Sequence, residues 1–270
     1  MLTAWLFCYA VKIQCHFTIV ICYELPLNEK TRMLLRLEDL FNKIDFFAAE
    51  ETAFDHHAAL TLLFEVLDVT SRSDLKSDLL QELDKQRAIL ENLRQNPQVS
   101  EAALEGLLLD IRSAFRGLLD ISGRIGSHLR DDEWLMNIKQ RMGIPGGACE
   151  FDLPAYHYWL QIKSDMRKAD LGKWIEPYAP IRGGIDIVLN ILRNSGRTFS
   201  YTADQGLFQQ TGSEHQAHLL RLHIDENLPC IPEISANKYA LNIRFIPIET
   251  THKTIVYEEN FTFDLTFCRL

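Results

Sequence analysis

Apolar side chains recur every three or four positions along the first two thirds of the chain and every second position after Gly196. Before either regime, residues 20–25 form a short β-branched and aromatic run closed by Pro26, the signature of one strand. Asn28 then offers an N-cap, and Glu29 suits the positive end of a helix. Leu34, Leu37, Phe41, Ile44 and Phe47 predict the amphipathic helix that follows. Leu60, Leu63, Phe64 and Leu67 predict a second helix, and Leu79, Leu83, Leu90 and Leu93 a third. The clearest stripe is Leu104, Leu107, Leu108, Ile111, Phe115 and Leu118. Asn96-Pro97 and the Gly143 to Gly147 stretch with Pro145 read as breaks. Pro154 fits the first turn of a further helix, and the run from Ile185 to Leu192 ends the last one.

Beyond Gly196 the alternation is strict in three places. Leu220, Leu222 and Ile224 alternate with Arg221 and His223, and Leu241, Ile243 and Phe245 with Asn242 and Arg244. Phe261, Phe263, Leu265 and Phe267 alternate with Thr262, Asp264 and Thr266. Each is the pattern of a half-buried antiparallel strand. Helices followed by strands predict an α+β fold with segregated layers. The lone strand near the N-terminus has no β neighbour in sequence, so it is expected to join the C-terminal sheet. The expected organisation is an extension over 1–17, a strand segment over 18–27, a helical domain over 28–198 and a β domain over 199–270.

Composition narrows the function. A net charge of −9 over 270 residues argues against general attraction to nucleic acid or anionic lipid. Six scattered cysteines without a CxxC pair read as free thiols in a reducing compartment. The apolar stretch over 1–22 is interrupted by Lys12, Gln14 and His16, which leaves no run long enough to span a bilayer. It also lacks the early positive charge and small-residue ending of a secretory signal.

Few constellations carry chemistry. No Walker-type phosphate loop and no G-x-S-x-G elbow is present. His215, His218 and His223, with Glu214 and Asp225 nearby, have metal-like spacing; exposed turn histidines are the commoner meaning. Cys149 has His157 eight residues on, a candidate thiol–imidazole pair for a hydrolase, although a small packed thiol is the commoner occurrence. Asp131, Asp132 and Glu133 suit a helix start and need no metal. The cations are more informative. Arg32, Arg36 and Lys43 share a helical face, with Glu29 and Asp39 close enough to pair with part of it. Four arginines and one acid lie between Ile111 and Arg130, and Arg221 and Arg244 project from polar strand faces.

Several segments together resemble the Z-ring-associated protein D (ZapD) family of bacterial division proteins. They are YELPLNEKTRMLLRLE at 23–38, LLQELDKQR at 79–87 and RIGSHLRDDEWLMNIKQR at 124–141. The most distinctive is IPGGACEFDLPAYHYWL at 144–160, followed by LLRLHI at 219–224 and RFIP at 244–247. The likeness begins near residue 18 and runs in order to the C-terminus.

The resemblance implies a non-enzymatic, cytoplasmic homodimer at the mid-cell division site. It would use no cofactor and no metal, bind no nucleic acid and carry no integral membrane segment. Such proteins bind the C-terminal tail of the tubulin-like division protein FtsZ and bundle its filaments to support the Z-ring. The residues implied for gripping that tail are Arg36, Arg72, Arg130, His157, Lys238 and Arg244. Arginines suit the role because a planar guanidinium makes paired, charge-assisted hydrogen bonds to carboxylates. Two departures stand out: Glu133 occupies a position where relatives can carry arginine, and Ala240 replaces a basic residue of some members. The alternative is a thiol- or metal-dependent hydrolase built on Cys149 and His157 or on the His215 group.

Overall fold

In the computed structural model, residues 20–71, 74–95, 100–211, 217–237, 239–248 and 256–270 are described. The described residues divide into two compact units, one of residues 20–25 with those between Arg197 and Phe267, the other of those between Pro26 and Gly196 with Cys268–Leu270. The first is β, the second helical. The 1–17 extension, the Asn96-Pro97 break and His215 lie outside the described residues.

The helical unit opens with α1 (Glu29–Ala49), capped by the Asn28 side chain, which accepts from the Thr31 N–H at 2.7 Å. Its inward stripe of Leu34, Leu37, Leu40, Phe41 and Ile44 packs on α2 (Ala53–Ser71). Next come α3 (Leu75–Glu91) and α4 (Glu101–Asp120), the latter capped by Ser100. Both pack on α9 (Ala179–Asn194), whose fully buried Ile181, Ile185, Val188, Leu189 and Leu192 form the centre of the core. Arg193 makes a paired bridge to Glu38 at 2.7 Å through each nitrogen, and Arg182 reaches Asp45 at 2.5 Å, so α9 is also tied electrostatically to α1.

Short helices complete the unit: α5 (Ser127–Arg130), α6 (Glu133–Met142), α7 (Pro154–Gln161) and α8 (Ser164–Ile175). Asp132 caps α6 by accepting from the Leu135 N–H, the helix-start role expected of the acidic run. Gly126 enters α5 with φ of 75°, and a Cβ there would meet Leu67 Cδ1 at 2.5 Å and Tyr178 Oη at 2.6 Å. Only glycine fits both the left-handed backbone and the close packing. Trp134, Trp159 and Trp174 from α6, α7 and α8 cluster with centroids 5.7–6.1 Å apart, and Tyr156 stacks on Trp159.

Buried Arg167 on α8 closes this end of the unit. Its Nε donates to His56 Nδ1 at 2.7 Å, and its two terminal nitrogens donate to the carbonyls of Glu51, Leu160 and Ile162. Because Nδ1 accepts, His56 carries its proton on Nε2 and donates it to the Glu50 carbonyl at 2.8 Å. Burial holds the His56 pKa below its ordinary value, opposed by the Glu50 hydrogen bond and assisted by the adjacent Arg167 and Lys168 charges.

The β unit contains a four-stranded sheet in the order β1 (Val20–Pro26), β4 (Leu219–Asp225), β7 (Phe261–Cys268), β2 (Arg197–Ala203). The early strand therefore joins the C-terminal sheet, and Glu24 on β1 pairs with Arg221 on β4 at 3.0 Å. A three-stranded antiparallel sheet has the order β3 (Leu207–Thr211), β6 (Ala240–Pro247), β5 (Cys230–Ala236). Phe263 meets Phe208 and Phe245 between the two sheets, with centroids 5.3 and 5.1 Å away.

Strand β5 is an outer strand and carries Pro232 opposite Phe245. The Ile248 N–H donates to the Pro229 carbonyl and the Asn237 N–H to the Ala240 carbonyl. By the alternation of antiparallel pairing, residues 231, 233 and 235 direct their backbone groups at β6, whereas Pro232 directs its nitrogen outward. A proline costs the ladder nothing there.

Candidate functional site

The cations singled out in the sequence separate sharply once their partners are known. On α1, Arg32 pairs with Glu29 at 3.2 Å and Lys43 with Asp39 at 2.6 Å, both exposed pairs within one helix. Arg36, on the same face and exposed, has no ion pair or hydrogen-bonding partner among the described residues. Between Ile111 and Arg130, Arg112 pairs with Glu105 and Arg124 donates to the Ser71 carbonyl at 2.9 Å. Arg130 donates to the carbonyls of Ile125 at 2.6 Å and Leu67 at 3.3 Å, so its guanidinium also holds α5 against α2.

Arg36 lines a groove of about 610 Å³ formed by α1, α2 and α3. Glu29, Lys30 and Met33 come from α1, Glu65, Asp68 and Val69 from α2, and Asp78 from α3. The spacing explains the placement. Lys30, Met33 and Arg36 lie three residues apart on one stripe of α1, and Glu65, Asp68 and Val69 on one stripe of α2. Leu34, Leu37, Leu63 and Leu67 turn the other way, into the core. Met33 and Val69, both half-buried, supply apolar lining.

Several groups in the groove are already engaged. Lys30 reaches Glu82 at 3.4 Å and the Asp78 carbonyl at 3.2 Å. Asp68 holds Lys139 at 2.9 Å. Arg36 and Arg130 thus bear on the same helix, the first through the groove and the second through Leu67, which precedes the groove residues Asp68 and Val69. Lys30, Glu65 and Asp78 escaped the sequence reading, because each belongs to an ordinary charged helix face and only tertiary packing gathers them.

His157 lies exposed on α7, 3.6 Å from the Glu150 carboxylate, and among the described residues no hydrogen bond or ion pair joins it to Arg36 or Arg130. Arg244 belongs to the β unit. It is exposed on β6, in register with Leu207 on one side and Glu233 on the other. Arg72 and Lys238 lie outside the described residues. Glu133 is exposed in the first turn of α6, where its charge favours the helix, and Ala240 opens β6.

Little here is arranged for chemistry. Cys149 is an exposed thiol that donates to the Gly146 carbonyl at 2.8 Å, while His157 faces Glu150. Among the described residues no group of three or more His, Cys, Asp or Glu side chains is placed to hold a metal. No helix among them is long and apolar enough to cross a membrane.

The family model for ZapD, a cell division protein, matches residues 35–244. The chain belongs to the ZapD family. The ZapD of Nitrosomonas europaea is 73% identical over 251 residues, covering 93% of this chain and 96% of its own length. Its counterpart in Nitrosomonas eutropha is 72% identical, with 93% of this chain and the whole of the relative covered. Farther off, the ZapD of an Azoarcus species remains 51% identical over the same share of this chain and its own full length. All three are named cell division proteins. The ZapD match takes in Arg36, the groove residues that α2 and α3 supply, and the PGG segment, where a Cβ on Gly147 would meet the Arg141 carbonyl oxygen at 2.3 Å.

Proposed function

We propose that this protein is a cytoplasmic division factor that binds the C-terminal tail of FtsZ at mid-cell. Acting as a homodimer, it cross-links FtsZ filaments into the bundles of the Z-ring. Membership of the ZapD family supports the role. The single structural observation that carries the mode of binding is Arg36: an exposed guanidinium without a partner among the described residues, beside an apolar lining of Met33 and Val69. Tail carboxylates pair with it, and an apolar tail side chain packs on the lining.

Arg72, Arg130, His157, Lys238 and Arg244 are the further contacts in this reading. A dimer presents the site twice, and the filament presents many tails. Bivalency then turns weak single contacts into durable cross-links. Co-sedimentation tests the proposal directly. Filaments of intact FtsZ should pellet the protein, with pelleting weakening as salt rises, and filaments lacking the tail should not. Undiminished pelleting by tail-less filaments would refute it.

A further inference from the structure

The groove that carries Arg36 is not a positive pocket. Four carboxylates, Glu29, Glu65, Asp68 and Asp78, share it with two cations, Lys30 and Arg36. Internal pairing removes half of these. Glu29 holds Arg32, Asp68 holds Lys139, and Lys30 holds Glu82 together with the Asp78 carbonyl. The side-chain charges left without a partner among the described residues are one guanidinium, Arg36, and two carboxylates, Glu65 and Asp78. An occupant that was purely acidic would satisfy the first and be repelled by the other two. A purely basic one would meet the reverse.

We propose that the groove recognises an extended segment of mixed charge, one that offers a carboxylate to Arg36 and cationic side chains to Glu65 and Asp78, with an apolar residue against Met33 and Val69. The inference rests on the tail-binding reading above and specifies which chemistry within a tail this groove reads. It also gives the acidic walls a purpose. They reject polyanions that a cluster of arginines alone would attract, so selectivity comes from repulsion as well as attraction. A volume of about 610 Å³ suits a few residues of an extended peptide.

The test uses the full-length protein and three labelled peptides of the FtsZ tail: native, with every Lys and Arg changed to Gln, and with every Asp and Glu changed to Asn or Gln. Fluorescence anisotropy gives the affinities. Both neutralised peptides should bind about tenfold or more weakly than the native one, since each loses its half of the charge pairing. Glu65→Gln should weaken the native peptide about three- to fivefold and modestly improve binding of the cation-neutralised peptide, because one repelling carboxylate is gone. Glu65→Lys should weaken the native peptide further and improve binding of the cation-neutralised one. Arg36→Glu should show the opposite preference. Glu65 and Arg36 are exposed, so melting curves matching wild type will certify that these variants fold.

If the native peptide binds while its cation-neutralised form binds equally well, and the Glu65 variants change nothing, the mixed-charge inference fails and tail binding stands. If the native peptide does not bind at all, both fail.

Discussion

Two arginines of the helical unit occupy opposite circumstances. Arg167 is 5% exposed and surrounded by acceptors: a histidine nitrogen and three backbone carbonyls, one from the α1–α2 connection, one from the last turn of α7 and one from the turn between α7 and α8. Arg36 stands in an open groove with no acceptor among the described residues. The first guanidinium is committed to holding elements together, and its hydrogen-bonding capacity is spent within the chain. The second contributes nothing visible to the fold and keeps its donors for something else. Arg130 lies between these extremes, half-buried and bonded to two carbonyls. A basic side chain is informative about binding only after the fold's own claims on it are subtracted.

The hardest way to break this contrast is Arg167→Ala. It strips donors from three carbonyls and from His56 Nδ1, and should cost about 3–5 kcal/mol in chemical denaturation. Arg167→Lys should recover only a part, because one ammonium cannot reproduce the planar fork. A loss below about 1 kcal/mol would mean that water replaces the arginine without penalty. Arg130→Ala should cost about 1–3 kcal/mol for its two carbonyls, and lower tail binding as well if the residue serves both purposes.

Acid probes the same junction without a substitution. The folded-state pKa of His56 lies below its unfolded value, so the unfolded chain takes up a proton first as pH falls through about 6.5. Stability present at neutral pH is therefore lost progressively below that point, because protonation would set a second cation against Arg167. His57, whose pKa burial also lowers, acts in the same direction. The melting temperature should drop between pH 7.5 and 5.5, and drop less in His56→Gln. Equal pH profiles for the two proteins would contradict the neutral tautomer. At the small end, Arg36→Ala should shift stability by no more than about 0.5 kcal/mol while reducing co-pelleting with FtsZ filaments. A large stability loss would show that Arg36 has a structural duty after all.

Much of the architecture is legible in the sequence, for physical reasons that also explain the gaps. α1, α4 and α9 bury continuous apolar stripes, and β4 and β6 bury chiefly one face each, so periodicity reports them directly. β7 buries Phe263 and Leu265 on one face but Thr266 and Cys268 on the other, so its alternation marks the strand and not which of its last residues are buried. α8 buries only Arg167 and Leu171, so half of its inward face reads as polar and no stripe registers. β5 lies at a sheet edge with Cys230 as its one fully buried position, and its proline speaks against a strand unless the direction of its nitrogen is known. β2 and β3 are short on buried positions in the same way. In the candidate site, Arg36 could be picked out as one of three cations on a helix face, but its difference from Arg32 and Lys43 depends on rotamers. Glu65 and Asp78 reach the groove from helices thirty and forty residues away, which no local pattern encodes.

The outward nitrogen of Pro232 bears on how such a protein behaves in a crowd. Cross-linkers gathered along a polymer meet one another at concentrations far above the cellular average, and an unguarded strand would invite copies to zip together edge to edge. A missing donor midway along β5 interrupts that template at no cost to the native ladder. In the proposed role, copies crowded along a filament would find no continuous strand edge at β5 on which to template cross-β pairing.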